Sequence, residues 1–414
     1  MIIQKALKTL KSVNNLFNTH TMKLHAIAAA LLLSTAVFAQ VDLINKVKDN
    51  GADAPLGYEW ETIVDIEATP VKNQGASGTC WSYATTSFVE SEMIRMGKEP
   101  IDISEMYTVR KVYEDKGEKY VRLHGYLNFA QGGALPDVLY VIKHYGAVPQ
   151  EVYSGLNYGT EINRHGEMEA SLKGILDAVI ENKNGKLSPS WQKGFKGVLD
   201  AYLGDDPAQF GYNGKTYTPR TFADEVIGIN PDDYVQLTSW THHEMYAPCQ
   251  IQVPDNWTWG TSYNLPLDEM MEAINTSLEA GYPVAWACDV SDKGFSIKNG
   301  IAVMPNQSWS DLSSEEAQAM YSAPHDEAVV DQEMRQEDYD NYLTQDDHGM
   351  VIQGMVKDQE GNLFYIIKNS WGDIPNDYRP GYLYASESYV RLKTISVMMH
   401  KDSIAKSMKK KLEL

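Results

Sequence analysis

The stretch that most constrains this chain is Lys72–Ser82, KNQGASGTCWS, followed by a run to Met96 that holds neither Pro nor Gly. Small residues lead into the run and Gly97 follows it, so the pattern predicts a helix that opens at Cys80 and closes at Gly97. Ser77 or Thr79 can supply its N-cap. Trp81, Ala84 and Phe88 recur at helical spacing and are expected to share a buried face. Cys80 then lies in the first turn, where unpaired backbone N–H groups and the helix dipole favour a thiolate.

Two later strings extend the pattern, His348-Gly349-Met350 and Lys368-Asn369-Ser370-Trp371-Gly372, the His and Asn standing 21 positions apart. The order Gln74, Cys80, His348, Asn369 and these local strings resemble the papain-type cysteine peptidases. The likeness is greatest to the bleomycin hydrolase and bacterial aminopeptidase C branch. Phe129–Tyr153 with Gly132-Gly133, the Asp232-Asp233-Tyr234-Val235 run and Pro283–Val290, PVAWACDV, support that branch. Ser77 stands where ordinary papain-like enzymes carry a second Cys, so that disulfide is absent. Cys80 and His348 are 268 positions apart, against roughly 130–150 in those enzymes, so extra chain must be housed between them.

The resemblance implies an α+β, papain-like two-lobe fold: a helical lobe carrying Cys80, an antiparallel β lobe carrying His348 and Asn369, and a large, mostly helical insertion. The expected divisions are a signal region over 1–39, an N-terminal segment and helical lobe over 40–155, and the insertion with the start of the β lobe over 156–340. The β lobe proper covers 341–395 and a tail 396–414. In the resembled mechanism Cys80 attacks a peptide carbonyl through a thioester, His348 moves the proton, Asn369 holds the imidazole, and the Gln74 amide stabilises the oxyanion. Trp371 is expected to shield the Asn–His bond from water. Gly132-Gly133 reads either as a turn before a helix over 135–144 or as bare backbone beside which a peptide substrate can lie extended. The resemblance favours the second reading.

A formal charge of −20 falls to about −24 once the four Lys of residues 1–39 are removed, which disfavours a nucleic-acid partner. Residues 22–40, MKLHAIAAALLLSTAVFAQ, have the basic start, apolar stretch and small residues of a secretory signal, so export is expected and Met22 is a candidate start. The apolar run is too short to span a membrane. Cys249 and Cys288 could pair or could be two small buried hydrophobes; the sequence leaves both open. His242-His243-Glu244 lacks further ligands at metal spacing, and no metal or other cofactor is expected. Asp346 and Asp347 read as a solvated pair beside His348.

In the resembled branch a C-terminal arm fills part of the cleft, restricts cleavage to peptide N-termini, and sits within a homo-hexameric cage. The tail here, MMHKDSIAKSMKKKLEL, lacks the expected Trp- and Pro-containing segment, leaving only Glu413-Leu414 as candidates to reach the cleft. An aminopeptidase acting on short peptides is the first expectation. An exported endopeptidase and a catalytically silent papain-fold binding protein are the alternatives.

Overall fold

The computed structural model describes residues 42–51, 57–183, 185–376 and 378–414, so the signal-like segment and Met22 lie outside the described residues. The helix expected from the Cys80 stretch runs Cys80–Arg95, and Gly97, at φ 72°, closes it with its N–H on the Ile94 carbonyl at 2.8 Å. Two details differ from expectation. The helix buries every residue from Cys80 to Met93 rather than one face. It runs along the strand His348–Lys357 and also packs against the helices Glu105–Arg122 and Pro136–His144. Its polar side chains are therefore tied internally: Thr85 Oγ1 donates to Leu135 O at 3.0 Å and Ser82 Oγ to Glu105 O at 3.0 Å. Nor does a side chain cap its start. The Ser77 and Thr79 hydroxyls bond each other at 2.6 Å, and Ser77 Oγ donates to Gln74 O at 2.7 Å, so both are spent on shaping the loop.

One large mixed sheet makes the other half of the molecule. Its centre is antiparallel: Thr394–His400, Val284–Cys288, His348–Lys357, Leu363–Lys368 and Tyr382–Ser386 are successive neighbours. Parallel pairs join Tyr382–Ser386 to Ile301–Ala302 and Tyr234–Thr238 to Ser262–Asn264. Glu61–Asp65 also pairs with His348–Lys357, carrying the N-terminal segment across to the sheet. The region 156–340 is helical at first, through Gly166–Ile180 and Ser190–Leu203, and then feeds strands into the sheet. Between these parts lies a hairpin, Phe210–Tyr212 on Lys215–Tyr217, whose Asn213 and Gly214 both take positive φ.

One apolar cluster joins Phe88, Val112, Leu139, Leu172 and Leu199 among the helices, and a second covers the far side of the sheet with Ile274, Val284, Ile352 and Tyr365. The tail joins this second cluster. In the helix Lys406–Leu412, Met408 and Leu412 are buried, while Lys411 pairs with Glu269 at 2.8 Å. All three cysteines are free and buried, so Cys249 and Cys288 act as small hydrophobes. Among the described residues no helix is long and apolar enough to cross a membrane.

Candidate active site

A cavity of about 460 Å³ opens where the start of the central helix meets the start of the strand His348–Lys357. Cys80, His348, Gly132, Gly133, Asp255 and Asp346 all line it. Cys80 is the first helical residue, and the backbone N–H groups of Trp81 and Gly349 act to lower its thiol, which favours the anion. His348 is held by Asn369, Nε2 to Oδ1 at 2.8 Å, whereas its Nδ1 is buried with no hydrogen-bond partner among the described residues. Trp371 lies over the imidazole with ring centroids 4.6 Å apart. It covers the side of the His–Asn pair, as a shield from water would.

Gln74 is fully buried, and the segment after Asn369 sets its amide. Gln74 N donates to Ser370 O at 2.9 Å, and Ser370 Oγ donates to Gln74 Oε1 at 2.8 Å. The Ser77 carbonyl, which can only accept, fixes which end of the amide is nitrogen. Nε2 then spends one proton on Ser77 O at 2.8 Å and keeps the other. Asn73 bridges to Trp371 in the same clasp, so backbone from the helical half and the sheet half meets directly beneath the site. Ser370 is a positioning residue that motif reading passed over. Its only signal was adjacency to Asn369.

Burial governs the titrating groups. It pushes the Cys80 thiol up to about 12, with the charges of Asp346 and Asp255 adding to the rise, and pushes the His348 imidazole down to about 4. Either ion alone is therefore disfavoured. Asp346 and Asp347 are not a solvated pair. Both line the cavity; Asp347 Oδ1 accepts from Val290 N–H at 2.8 Å, and burial raises the Asp346 carboxyl to about 7. The chain folds them inward because the strand that must deliver His348 begins immediately after them.

The glycine pair has a specific packing cause. A Cβ on Gly132 would fall 1.9 Å from Asp255 Oδ2, and one on Gly133 would meet Trp81 at 2.7 Å and Asp137 at 2.8 Å. Only bare backbone leaves room for these neighbours. The space above Gly132, read from sequence as open for substrate, is held by a carboxylate. Elsewhere, Glu90, Asp102 and Glu105 gather at ligand spacing, but Lys72 Nζ lies 2.6–2.7 Å from all three and fills their centre. His242 Nδ1 lies 3.0 Å from Gln336 Nε2 and its ring lies over Tyr339, an ordinary packing role.

Comparison with known proteins agrees with this geometry. Residues 54–170 match the papain family of cysteine proteases, and residues 201–414, just over half the chain, match the peptidase C1-like family. The chain belongs to the peptidase C1-like family. Within reach of it are an aminopeptidase C of Streptococcus thermophilus, 22% identical over 82% of each chain, and one of Lactococcus lactis subsp. cremoris. The second is 24% identical over 83% of this chain and 84% of the relative. The crystal structure of PepW from Lactobacillus rhamnosis superposes with a TM-score of 0.63 at 17% identity, covering 96% of this chain and 94% of that one. That likeness shows the papain-like fold. As a member of the C1-like family, the chain carries its Cys, His, Asn and Gln on the elements described above and brings Cys80 and His348 to one cavity.

Proposed function

We propose that this protein is a cysteine peptidase that removes residues from the N-termini of peptides. The observation that carries the reading is the exposure of Cys80 and His348 to one cavity, with His348 fixed by Asn369 at one nitrogen and unpartnered at the other. The curated relatives that match along more than four fifths of the chain are aminopeptidases C, whereas viral cathepsins match about a third of it or less, which supports the exopeptidase form over the endopeptidase one.

Proton transfer from the Cys80 thiol to His348 Nδ1 creates both ions together. Their mutual attraction in a dry cavity offsets the burial penalty each meets alone. The thiolate attacks the scissile carbonyl, and its oxygen takes the negative charge toward the Cys80 N–H and the uncommitted proton of Gln74 Nε2. As the C–N bond breaks, imidazolium gives its proton to the leaving amine and a thioester remains on Cys80. His348 then takes a proton from water, hydroxide adds to the thioester, and the released thiolate restores the pair. Asn369 suits this cycle because a neutral acceptor orients the ring without stabilising the imidazolium so far that it would hold the proton.

The test uses a thiol-directed epoxide together with aminoacyl fluorogenic amides bearing free or acetylated N-termini. Wild-type protein should label once per chain and hydrolyse the free substrates. Cys80→Ala should abolish labelling and lower the rate by about 10³-fold or more. Retained hydrolysis in that variant would remove Cys80 as the nucleophile, and wild-type protein that neither labels nor cleaves would leave the silent binding protein in place of the peptidase. Two further parts of the proposal are export, resting on residues 22–39, and homo-hexamer assembly, resting on the family resemblance. N-terminal sequencing of the exported protein and light scattering of the purified one test them.

A further inference from the structure

The cavity ends at a wall that the proposed chemistry does not use. Beyond Gly132 and Gly133 the space is closed by the turn Val253–Asn256, whose Asp255 side chain stands over Gly132. This turn is built to hold its place. Asn256 Nδ2 donates to Ile251 O and Gly260 O, each at 3.1 Å, and its Oδ1 accepts from Gly260 N–H at 2.8 Å. Next to it, buried Trp257 donates its indole N–H to Asp137 Oδ2 at 2.7 Å and accepts from Lys119 Nζ at 2.9 Å through its carbonyl. A loop bolted at this many points positions a side chain in advance.

What it positions is negative charge without enough partners. Asp255 Oδ1 accepts from Asn128 Nδ2 at 2.9 Å, but Oδ2 accepts no hydrogen bond among the described residues. Asp346, on the same cavity, accepts none at either oxygen, and the charge of Asp255 reaches it. Lys116, a buried cation nearby whose charge acts on Asp255, turns its ammonium to the carbonyls of Ala130 and Gly132 rather than to either carboxylate. The other acids on the cavity have partners, Glu169 in Gln131 and Asp347 in the Val290 N–H, whereas Asp137, which does not line it, takes the Trp257 indole and the Ala134 N–H at one oxygen and has none at the other. An ammonium group arriving in the cavity would supply those donors together with the opposite charge.

We propose that Asp255, with Asp346 beside it, receives the α-ammonium group of the substrate and so makes the peptide's free end the thing recognised. The proposal rests on the cysteine-peptidase reading and adds its specificity. It also relocates that specificity from the chain's own terminus to a loop of the inserted region. The tail helix packs into the far side of the sheet through Met408 and Leu412, and no residue after Ser396 lines the cavity. A peptide extended past Gly132 would run into Asp255, so the same side chain both stops the cleft and reads the charge that ends there.

The experiment compares aminoacyl fluorogenic amides with free and acetylated N-termini on the full-length protein and its variants. Asp255→Asn should raise KM for the free substrate by about 10–100-fold while kcat stays within a few-fold, and should narrow the preference over the acetylated one. Asp346→Asn should do the same more weakly. Deleting Glu413 and Leu414 should leave the preference where it was. If Asp255→Asn does not fold, Asp346→Asn carries the test alone. Unchanged preference in every folded variant that still takes the epoxide on Cys80 overturns this inference and leaves the peptidase reading standing. Failure of the wild type to label or to cleave either substrate overturns the peptidase reading first, and this one with it.

Discussion

At one end of a range of restraint, His348 is held by Asn369 and roofed by Trp371, and Gln74 is fixed at its oxygen by Ser370 and at its nitrogen by Ser77. At the other end of that range, three of the four carboxylate oxygens of Asp255 and Asp346, on the same cavity as His348, have no hydrogen-bond partner among the described residues. The difference separates two tasks. Groups that must meet a transition state within tenths of an ångström are over-determined by their neighbours. Groups that must bind a charge are left short of donors, so that binding has something to satisfy. Changes at the first end should therefore act on kcat with the preference for free N-termini intact, and changes at the second on KM and preference with kcat intact.

The largest effect that would break this division lies at Gln74. Gln74→Ala removes an oxyanion donor and should lower kcat by about 10²–10³-fold for free and acetylated substrates alike. Steady-state kinetics on the paired substrates check it. A loss confined to the free substrate would mean that Gln74 reads the N-terminus rather than the developing charge. Next in size is Ser370→Ala, which leaves the Gln74 amide held by the Ser77 carbonyl alone and should cost about tenfold in kcat with little change in KM. Ser370→Thr keeps the hydroxyl and should recover most of the rate. A merely structural role would instead show as lost thermal stability without that recovery.

The two ends were also unequally legible in the amino-acid sequence. Gln74, Cys80, His348 and Asn369 sit in short strings whose chemistry is local, and helix punctuation at Gly97 or the Asn213-Gly214 hairpin is equally local. The tail offered a signal that charge obscured: Met408 and Leu412 stand four apart on one helical face, on either side of Lys409-Lys410-Lys411. Asp255 offered none. Pro254-Asp255-Asn256 reads as an ordinary turn, and its meaning comes from packing across 123 positions onto Gly132. The helix start misled for a related reason. Ser77 and Thr79 are good cap residues, yet here shaping the Gln74 loop uses up both hydroxyls.

The smallest expected effect sharpens the comparison through pH. Burial and the Asp255 charge raise the Asp346 carboxyl to about 7, so it is neutral below that value and anionic above it. The charged and titrating groups around it are Asp255 on the turn, Asp347 and His348 on its own segment, Cys80 at the helix start, and Tyr339 on the helix Gln332–Asp340. Glu169 also lines the cavity, and Lys116 lies on the carbonyls of Ala130 and Gly132. A substrate α-amino group stays largely protonated up to about pH 7.5. Raising pH from 6 to 7.5 therefore adds negative charge facing an unchanged cation, and KM for the free substrate should fall a few-fold. The acetylated substrate has no ammonium, so the ratio of the two cancels any titration of Cys80 and His348 common to both. Asp346→Asn should flatten the ratio across this window. A wild-type ratio already flat from pH 6 to 7.5 would mean that Asp346 stands outside the recognition site and that Asp255 acts alone.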